Sequence, residues 1–228
     1  MALICFNLDG TLVDPMHAME HCVRLACADL GLPAPARDQL AAAVGRSQEA
    51  RFAGLPGMDD PPRMAQALER YWVHFAAEGI VRHHIYQGTL LMLARLKHQG
   101  HRLYAVTLKP ARYARQVLHH FDLLLAFEDV FGGAARPPWK SKAQVLESMR
   151  EQGALEPGGF MVGDGPEDMA AARSNGLIPL GVTYGFGGAE ELRRAGALEL
   201  FPSVAALDDW FKEKLHEPET LDSFSRSE

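Results

Sequence analysis

The run Phe6-Asn7-Leu8-Asp9-Gly10-Thr11-Leu12-Val13-Asp14 constrains this chain more than any other stretch. A short apolar segment from Leu3 to Phe6 reads as a buried strand, and it stops at two polar residues two positions apart, followed by a glycine turn. Side chains alternate across a strand, so Asn7 and Asp9 point the same way off its end. Two carboxylates in that arrangement would supply a nucleophile and a general acid or base beside a metal. The first of the two positions carries an amide, which is a poor nucleophile.

After Asp14-Pro15 the pattern turns helical, with Met19, Cys22, Val23, Ala26 and Leu30 at three- and four-residue spacing up to Gly31. Further helices are expected over 38–44, 48–53 and 63–79, separated by Gly45-Arg46-Ser47, Pro56-Gly57 and Pro61-Pro62. No convincing strand falls between 16 and 80, so this region reads as a small all-helical domain inserted after the first strand and seated over its end. From Gly88 onward helices and strands alternate. Strands are expected over Leu103 to Thr107, at Val130-Phe131, over Gly159 to Gly163 and over Ile178 to Thr183. Helices are expected over 90–97, 110–120, 141–152, 167–174, 190–195 and 204–214. The fold class is therefore α/β, a doubly wound parallel sheet with an inserted helical cap, whose ligands gather at the carboxyl ends of the strands. The boundaries are 1–15 and 82–214 for the core, 16–81 for the cap and 215–228 for a polar C-terminal tail.

Composition narrows the partners. The net charge of -6 comes from interspersed residues with no basic block, which argues against nucleic acid or a membrane surface and in favour of a small molecule. No apolar run approaches the roughly 20 residues needed to span a bilayer. Cys5, Cys22 and Cys27 lack CxxC spacing and no charged leader precedes an apolar one, so a reducing cytoplasm is expected, with Cys5 in the core. The oligomeric state is left open between monomer and homodimer.

Three further segments place polar groups at strand ends or helix starts. Thr107 ends a strand just before Lys109-Pro110, where its hydroxyl and nearby N–H groups suit an anion, or it serves only as an N-cap. Val162-Gly163-Asp164-Gly165-Pro166-Glu167-Asp168 combines a strand, a glycine pair and a helix start, and its hard oxygen ligands suit Mg²⁺. The plain alternative, which the pairing with Asn7 and Asp9 disfavours, has Asp168 as a helix-dipole partner and Glu167 as a solvated charge. Lys140 and Lys142 follow Arg136-Pro137-Pro138-Trp139 at a helix start, and Lys142 is favoured as a phosphate cation because it opens the apolar helical pattern. The pairs His83-His84 and His119-His120, and His17 with His21, lack the geometry of a metal site and are expected at the surface. Met161 and Met169 are expected in the packing.

In this order the motifs resemble the haloacid dehalogenase-like hydrolase superfamily, particularly its phosphoglycolate phosphatase-like branch, over nearly everything from Ala2 to about Leu207. The opening run is similar to the family's DxDGTLxD motif, Thr107 to its Thr/Ser, Lys142 (or Lys140) to its lysine, and Gly163-Asp164 through Asp168 to its GDxxxD motif. The resemblance implies a two-step phosphoryl transfer: a carboxylate attacks phosphorus, and water then hydrolyses the aspartyl-phosphate. Carried across, Asp9 is the general acid and base, while Thr107 and Lys142 hold the phosphoryl group. Mg²⁺ takes the Asn7 side-chain oxygen, the Asp9 backbone carbonyl and Asp164, with Asp168 ligating it or holding a metal-bound water. Gly10, Thr11 and Leu108 line the substrate, and Arg46 is the cap residue singled out to read it. Family dehalogenases usually lack the second aspartate and the metal, so a small phosphomonoester is favoured over a haloacid. A phosphosugar mutase needs the same nucleophile and is favoured less.

Asn7 departs from the family pattern. It forms no stable acyl phosphate, and spontaneous deamidation is disfavoured because Leu8 follows it, not glycine. The expectation is a phosphatase disabled or strongly slowed at one position. With the other positions intact, an engineered variant is favoured over the alternative, a natural silent protein that binds phosphorylated ligands or regulates.

Overall fold

The computed structural model describes residues 1–134 and 140–215, so the Arg136-to-Trp139 segment and the polar tail from 216 onward lie outside the described residues. Six parallel strands form the main sheet, in spatial order β5-β4-β1-β6-β7-β8. They are β1 (Leu3–Phe6), β4 (Arg102–Pro110), β5 (Asp129–Gly133), β6 (Phe160–Gly163), β7 (Ile178–Val182) and β8 (Glu199–Phe201). The central strand β1 pairs with β4 and β6, with Phe6 opposite Ala105 on one side and Val162 on the other. All four of its residues are buried, as a strand covered on both faces requires.

Alternation along β1 divides the core. Leu3 and Cys5 face the cluster of Val145, Leu146 and Met149 from α6 (Lys142–Glu151) and Ala171 and Ala172 from α7 (Pro166–Ser174). Ile4 and Phe6 face the opposite cluster, built from α4 (Thr89–His98), α5 (Ala111–His120) and α9 (Val204–Leu215), where Phe6 meets Phe211 edge-on at 6.3 Å. Cys5 is fully buried, and burial pushes its thiol well above the ordinary range, which makes it a core residue and not a reactive one. Met161 and Met169 are buried as well. Helix α8 (Ala189–Arg194) joins β7 to β8.

Between β1 and β4 the chain is mostly helical: α1 (Met16–Asp29), α2 (Arg37–Ala41), a 3₁₀ turn at Gln48–Arg51, and α3 (Pro61–His74). Pro61 and Pro62 open α3, where a missing N–H costs nothing. The helix expected to run unbroken to residue 79 instead changes at Phe75–Gly79 into a π-helical turn. Apolar faces of α1 and α3 share one cluster, with Met19, Cys22 and Val23 against Leu68, Tyr71 and Phe75. This cluster is continuous with the sheet's own core, and Trp72 of α3 stacks on Tyr113 of α5 at 4.6 Å. Where the helical segment leaves and rejoins the sheet, β2 (Val13–Asp14) pairs antiparallel with β3 (His84–Ile85). Among the described residues no helix is long and apolar enough to cross a membrane.

Candidate active site

The carboxyl ends of β1, β4 and β6 converge with the first turns of α6 and α7. Asn7 follows β1 directly, and its main-chain N–H donates to Val162 of β6 at 2.8 Å, fixing where its side chain begins. The loop then turns back on itself, with Leu12 N–H donating to Leu8 O at 2.9 Å. Gly10 is required there. Its φ is +80°, and a Cβ would stand 2.0 Å from Asp164 Oδ2.

Lys142 opens α6 behind a reciprocal capping box, in which Ser141 Oγ accepts from Gln144 N–H at 3.2 Å and Gln144 Oε1 accepts from Ser141 N–H at 2.8 Å. The box directs the Lys142 ammonium under the sheet's edge, where it is 3% exposed. It donates to Asn7 Oδ1 at 2.9 Å and to Val106 O at 3.2 Å, and pairs with Asp168 Oδ1 at 2.8 Å. Lys140 is exposed and bonds Ser148 Oγ at 2.8 Å, away from this group. Asp168 has two tasks, since its Oδ2 accepts from Gly165 N–H at 3.1 Å at the start of α7. Thr107 is buried, and its Oγ1 accepts from Lys109 N–H at 3.1 Å, which leaves the hydroxyl proton free for another acceptor.

Asp164 is 3% exposed and ringed by donors. Its Oδ1 accepts from Asn7 Nδ2 and Thr11 Oγ1, both at 3.1 Å, and its Oδ2 from Phe186 N–H at 3.0 Å. Burial and the neighbouring Asp168 carboxylate nevertheless push its pKa up to about 7. Thr11 Oγ1 donates to Asp164, and the Gly10 N–H closes the turn on Val13 O at 2.8 Å. Leu108 and Arg46 do border open space, a cavity of about 570 Å³ whose wall also includes Gln48, Lys142, Asp164 and Phe186. Leu108 O accepts from Gln48 Nε2 at 2.9 Å, a direct bond from the helical segment to the end of β4.

Asn7 differs from expectation in its orientation. Its Nδ2, not its Oδ1, faces the Asp9 carbonyl (2.9 Å) and Asp164 (3.1 Å). The cause is Lys142, which has only donors to offer and so claims the amide oxygen. The Mg²⁺ set expected from resemblance includes that oxygen, and here an N–H stands in its place. Among the described residues no group of three or more His, Cys, Asp or Glu side chains is arranged to hold a metal ion.

Lys109 and His83 are the functional candidates not visible in the sequence. Lys109 was expected at a helix start, but β4 continues through Pro110, and the strand directs the ammonium inward at 3% exposure. Its Nζ lies 2.6 Å from Asp9 Oδ1 and 2.9 Å from His83 Nε2. His83, expected at the surface, is buried, because the turn at Ile80–Arg82 folds its ring under the Gly79 and Ile80 carbonyls, each 3.1 Å from Nδ1. These carbonyls require a proton on Nδ1, so Nε2 accepts from Lys109 and the ring is neutral. Burial, followed by the Lys109 charge, pushes the His83 pKa down to about 3. Burial alone would raise the Asp9 carboxyl, but the Lys109 ammonium bonded to it holds it below its usual range. Glu167 is likewise not a solvated charge: it is half-buried at the cavity wall, and burial pushes it up to about 7.

A pH dependence follows from His83. Its folded pKa of about 3 lies below the ordinary 6.5, so the stability contributed by the neutral ring is complete above 6.5 and lost as pH falls toward 3. One group titrating in that window changes stability by ~1.4 kcal/mol per pH unit. Denaturant midpoints measured from pH 7 to pH 4 are expected to fall more steeply for the native chain than for His83→Gln. Equal slopes would refute the buried neutral ring.

Residues 4–182 match the haloacid dehalogenase-like hydrolase family, and the chain belongs to it. Its relatives include a 5'-nucleotidase from Pseudomonas aeruginosa, 30% identical over 205 residues and covering 90% of this chain and 92% of that protein. A phosphoglycolate phosphatase from Rhodospirillum rubrum is 31% identical over 216 residues, covering 91% and 89%. The crystal structure of a predicted phosphatase from Clostridium acetobutylicum superposes with a TM-score of 0.84 at 29% identity, covering 93% of this chain and 98% of that one.

Proposed function

We propose that this chain is built as a phosphatase for a small phosphomonoester and that Asn7 blocks its turnover. The observation that carries this reading is the meeting of Asn7, Asp9, Thr107, Lys142 and Asp164 at three adjacent strand ends, with Lys142 and Asp164 in the wall of one cavity. Thr107 has a free hydroxyl proton, and Lys142 a charge, to offer a phosphoryl oxygen. Asp9, held ionised by Lys109, stands two residues from the nucleophile position, where the carboxylate can take a proton from water and the Lys109–Asp9 pair together can pass one to a leaving oxygen. With a carboxylate at position 7, its oxygen would bond to phosphorus as the ester P–O bond breaks, and the leaving oxygen would take its proton from the Lys109–Asp9 pair, whose proton sits on the ammonium. Asn7 carries no charge for that attack.

The relatives' names suggest substrates of the size of phosphoglycolate or a nucleoside monophosphate, and a cavity of about 570 Å³ admits either. The segment 16–81 acts as a cap in this reading, because its 41–48 stretch forms one wall of the cavity and places Arg46 at the rim. Mg²⁺ dependence belongs to the family chemistry and would need Asp164, the Asp9 carbonyl and an oxygen at position 7. A second reading, phosphate-ligand binding without turnover, is favoured by the bonding of Asn7, whose amide has partners at both ends.

Calorimetric titration with inorganic phosphate, AMP and 2-phosphoglycolate tests the pocket in either reading. Thr107→Val removes a donor to an anion, a contribution of ~1.5 kcal/mol or more, so binding should weaken about tenfold. No binding of any of the three, or binding indifferent to Thr107→Val, would sink the phosphate assignment.

A further inference from the structure

The bonding of Asn7 determines more than the loss of a nucleophile. Its amide is clamped between an ammonium on one side and two oxygens on the other: Lys142 Nζ at 2.9 Å from Oδ1, then Asp9 O at 2.9 Å and Asp164 Oδ1 at 3.1 Å from Nδ2. Turning the amide over would set N–H against ammonium and carbonyl oxygen against two acceptors, making all three contacts repulsive at once. Lys142 cannot withdraw to relieve this, because it is 3% exposed and also held by Val106 O and Asp168. The amide orientation is therefore imposed by the surrounding groups.

The two oxygens that receive the amide protons are those that a divalent cation would share. Asp168 adds no free negative charge, being paired with Lys142 at 2.8 Å, and Thr11 and Phe186 already donate to Asp164. A cation entering here would meet an N–H, one carboxylate and one carbonyl, with a buried ammonium close behind the amide. Affinity for hard cations follows the number and charge of the oxygen ligands, and this set is short of both.

We propose that in this chain the Asn7 amide takes the structural place of the cation, linking the Asp9 carbonyl to Asp164, so that the pocket receives a phosphorylated ligand without a divalent metal. The metal part of this inference stands on the amide geometry alone; only its phosphate part rests on the reading in the preceding subsection.

The test is a Mn²⁺ titration followed by the electron paramagnetic resonance of the free ion, on the chain carrying Asn7 and on Asn7→Asp, together with Mg²⁺ calorimetry on both. The native chain should show no saturable binding at this site, and Asn7→Asp should gain a site at least about tenfold tighter. Comparable binding by the two proteins overturns the inference. So does binding by neither, because Asn7 would then not be what excludes the metal. Phosphate titration of the native chain with EDTA and with Mg²⁺ should give the same affinity, and a requirement for Mg²⁺ overturns the inference while leaving the phosphate pocket intact. Absence of phosphate binding under both conditions removes the phosphatase reading, and the metal titration still decides the role of the amide.

Discussion

Asn7→Asp is expected to raise phosphomonoester turnover by roughly a thousandfold or more, the scale on which removing a nucleophile normally lowers it. The substitution conserves volume and leaves the Val162 bond to the Asn7 main chain untouched. It supplies a full negative charge 2.9 Å from the Lys142 ammonium, which stabilises the carboxylate in place. It also turns the bond to Asp164 from attraction into repulsion between carboxylates, which a divalent cation relieves. Activity should therefore appear only when Mg²⁺ is present. Assay of both forms against p-nitrophenyl phosphate, AMP and 2-phosphoglycolate, with and without Mg²⁺, measures the gain. A silent Asp form on every ester would end the phosphatase reading. Native turnover at about 1 s⁻¹ or above, ordinary for an enzyme, would show that the amide is no block.

The second large effect belongs to Lys109. Lys109→Met removes the only cation bonded to Asp9 among the described residues and leaves a carboxylate whose side chain is 15% exposed. Breaking a buried ion pair on one side costs ~3 to 5 kcal/mol, and the residual access to water places this case near the lower figure. Equilibrium denaturation at pH 7 gives the number. Asp9→Asn combined with Lys109→Met should recover much of the loss, because no buried charge is then left alone. The His83 ring supplies an independent reading, since Lys109 is the second cause, after burial, of its low pKa. In Lys109→Met the imidazole titration followed by NMR should move upward. A loss below about 1 kcal/mol, the value of an exposed pair, would mean that Lys109 and Asp9 are not coupled as their 2.6 Å separation implies.

The elements that the sequence made visible are those whose signal is local. Leu3 to Phe6 is an apolar run that stops at the polar Asn7, and β1 spans those four residues. The strand after Gly159 and the helix after Pro166 are framed by glycine and proline, and both lie within a residue of expectation. β2 and β3 have two residues each, too few to show a period, and β8 begins on a charged residue at Glu199. The end of β4 was hidden by Pro110, which normally closes a strand; here the register with β5 shifts between Thr107 and Pro110 and the strand carries on.

The site divides along the same line. Asp9, Thr107, Lys142, Asp164 and Asp168 stand out in the sequence by their position at strand ends and helix starts, and the fold sets them around the adjacent ends of β1, β4 and β6. Lys109 had no signal of its own, because its neighbour Pro110 pointed to a helix. His83 was judged by its pairing with His84, and one of the two does face outward. The orientation of Asn7 depends on Lys142, which lies 135 positions away in the chain, and no local pattern records such a contact.

The short ribbon of Val13–Asp14 against His84–Ile85 bears on how the cavity wall is attached to the sheet. Antiparallel pairing brings the outgoing and returning chains side by side at one seam, and the Gln48–Leu108 bond and the Trp72–Tyr113 stack hold the intervening stretch against the sheet domain beyond it. A different insert spliced at that seam would meet the same strand ends while replacing the wall around Arg46 and Gln48. The ribbon thus marks a point at which the wall of the cavity could change while the strand ends that carry Asn7, Thr107 and Asp164 stay in place.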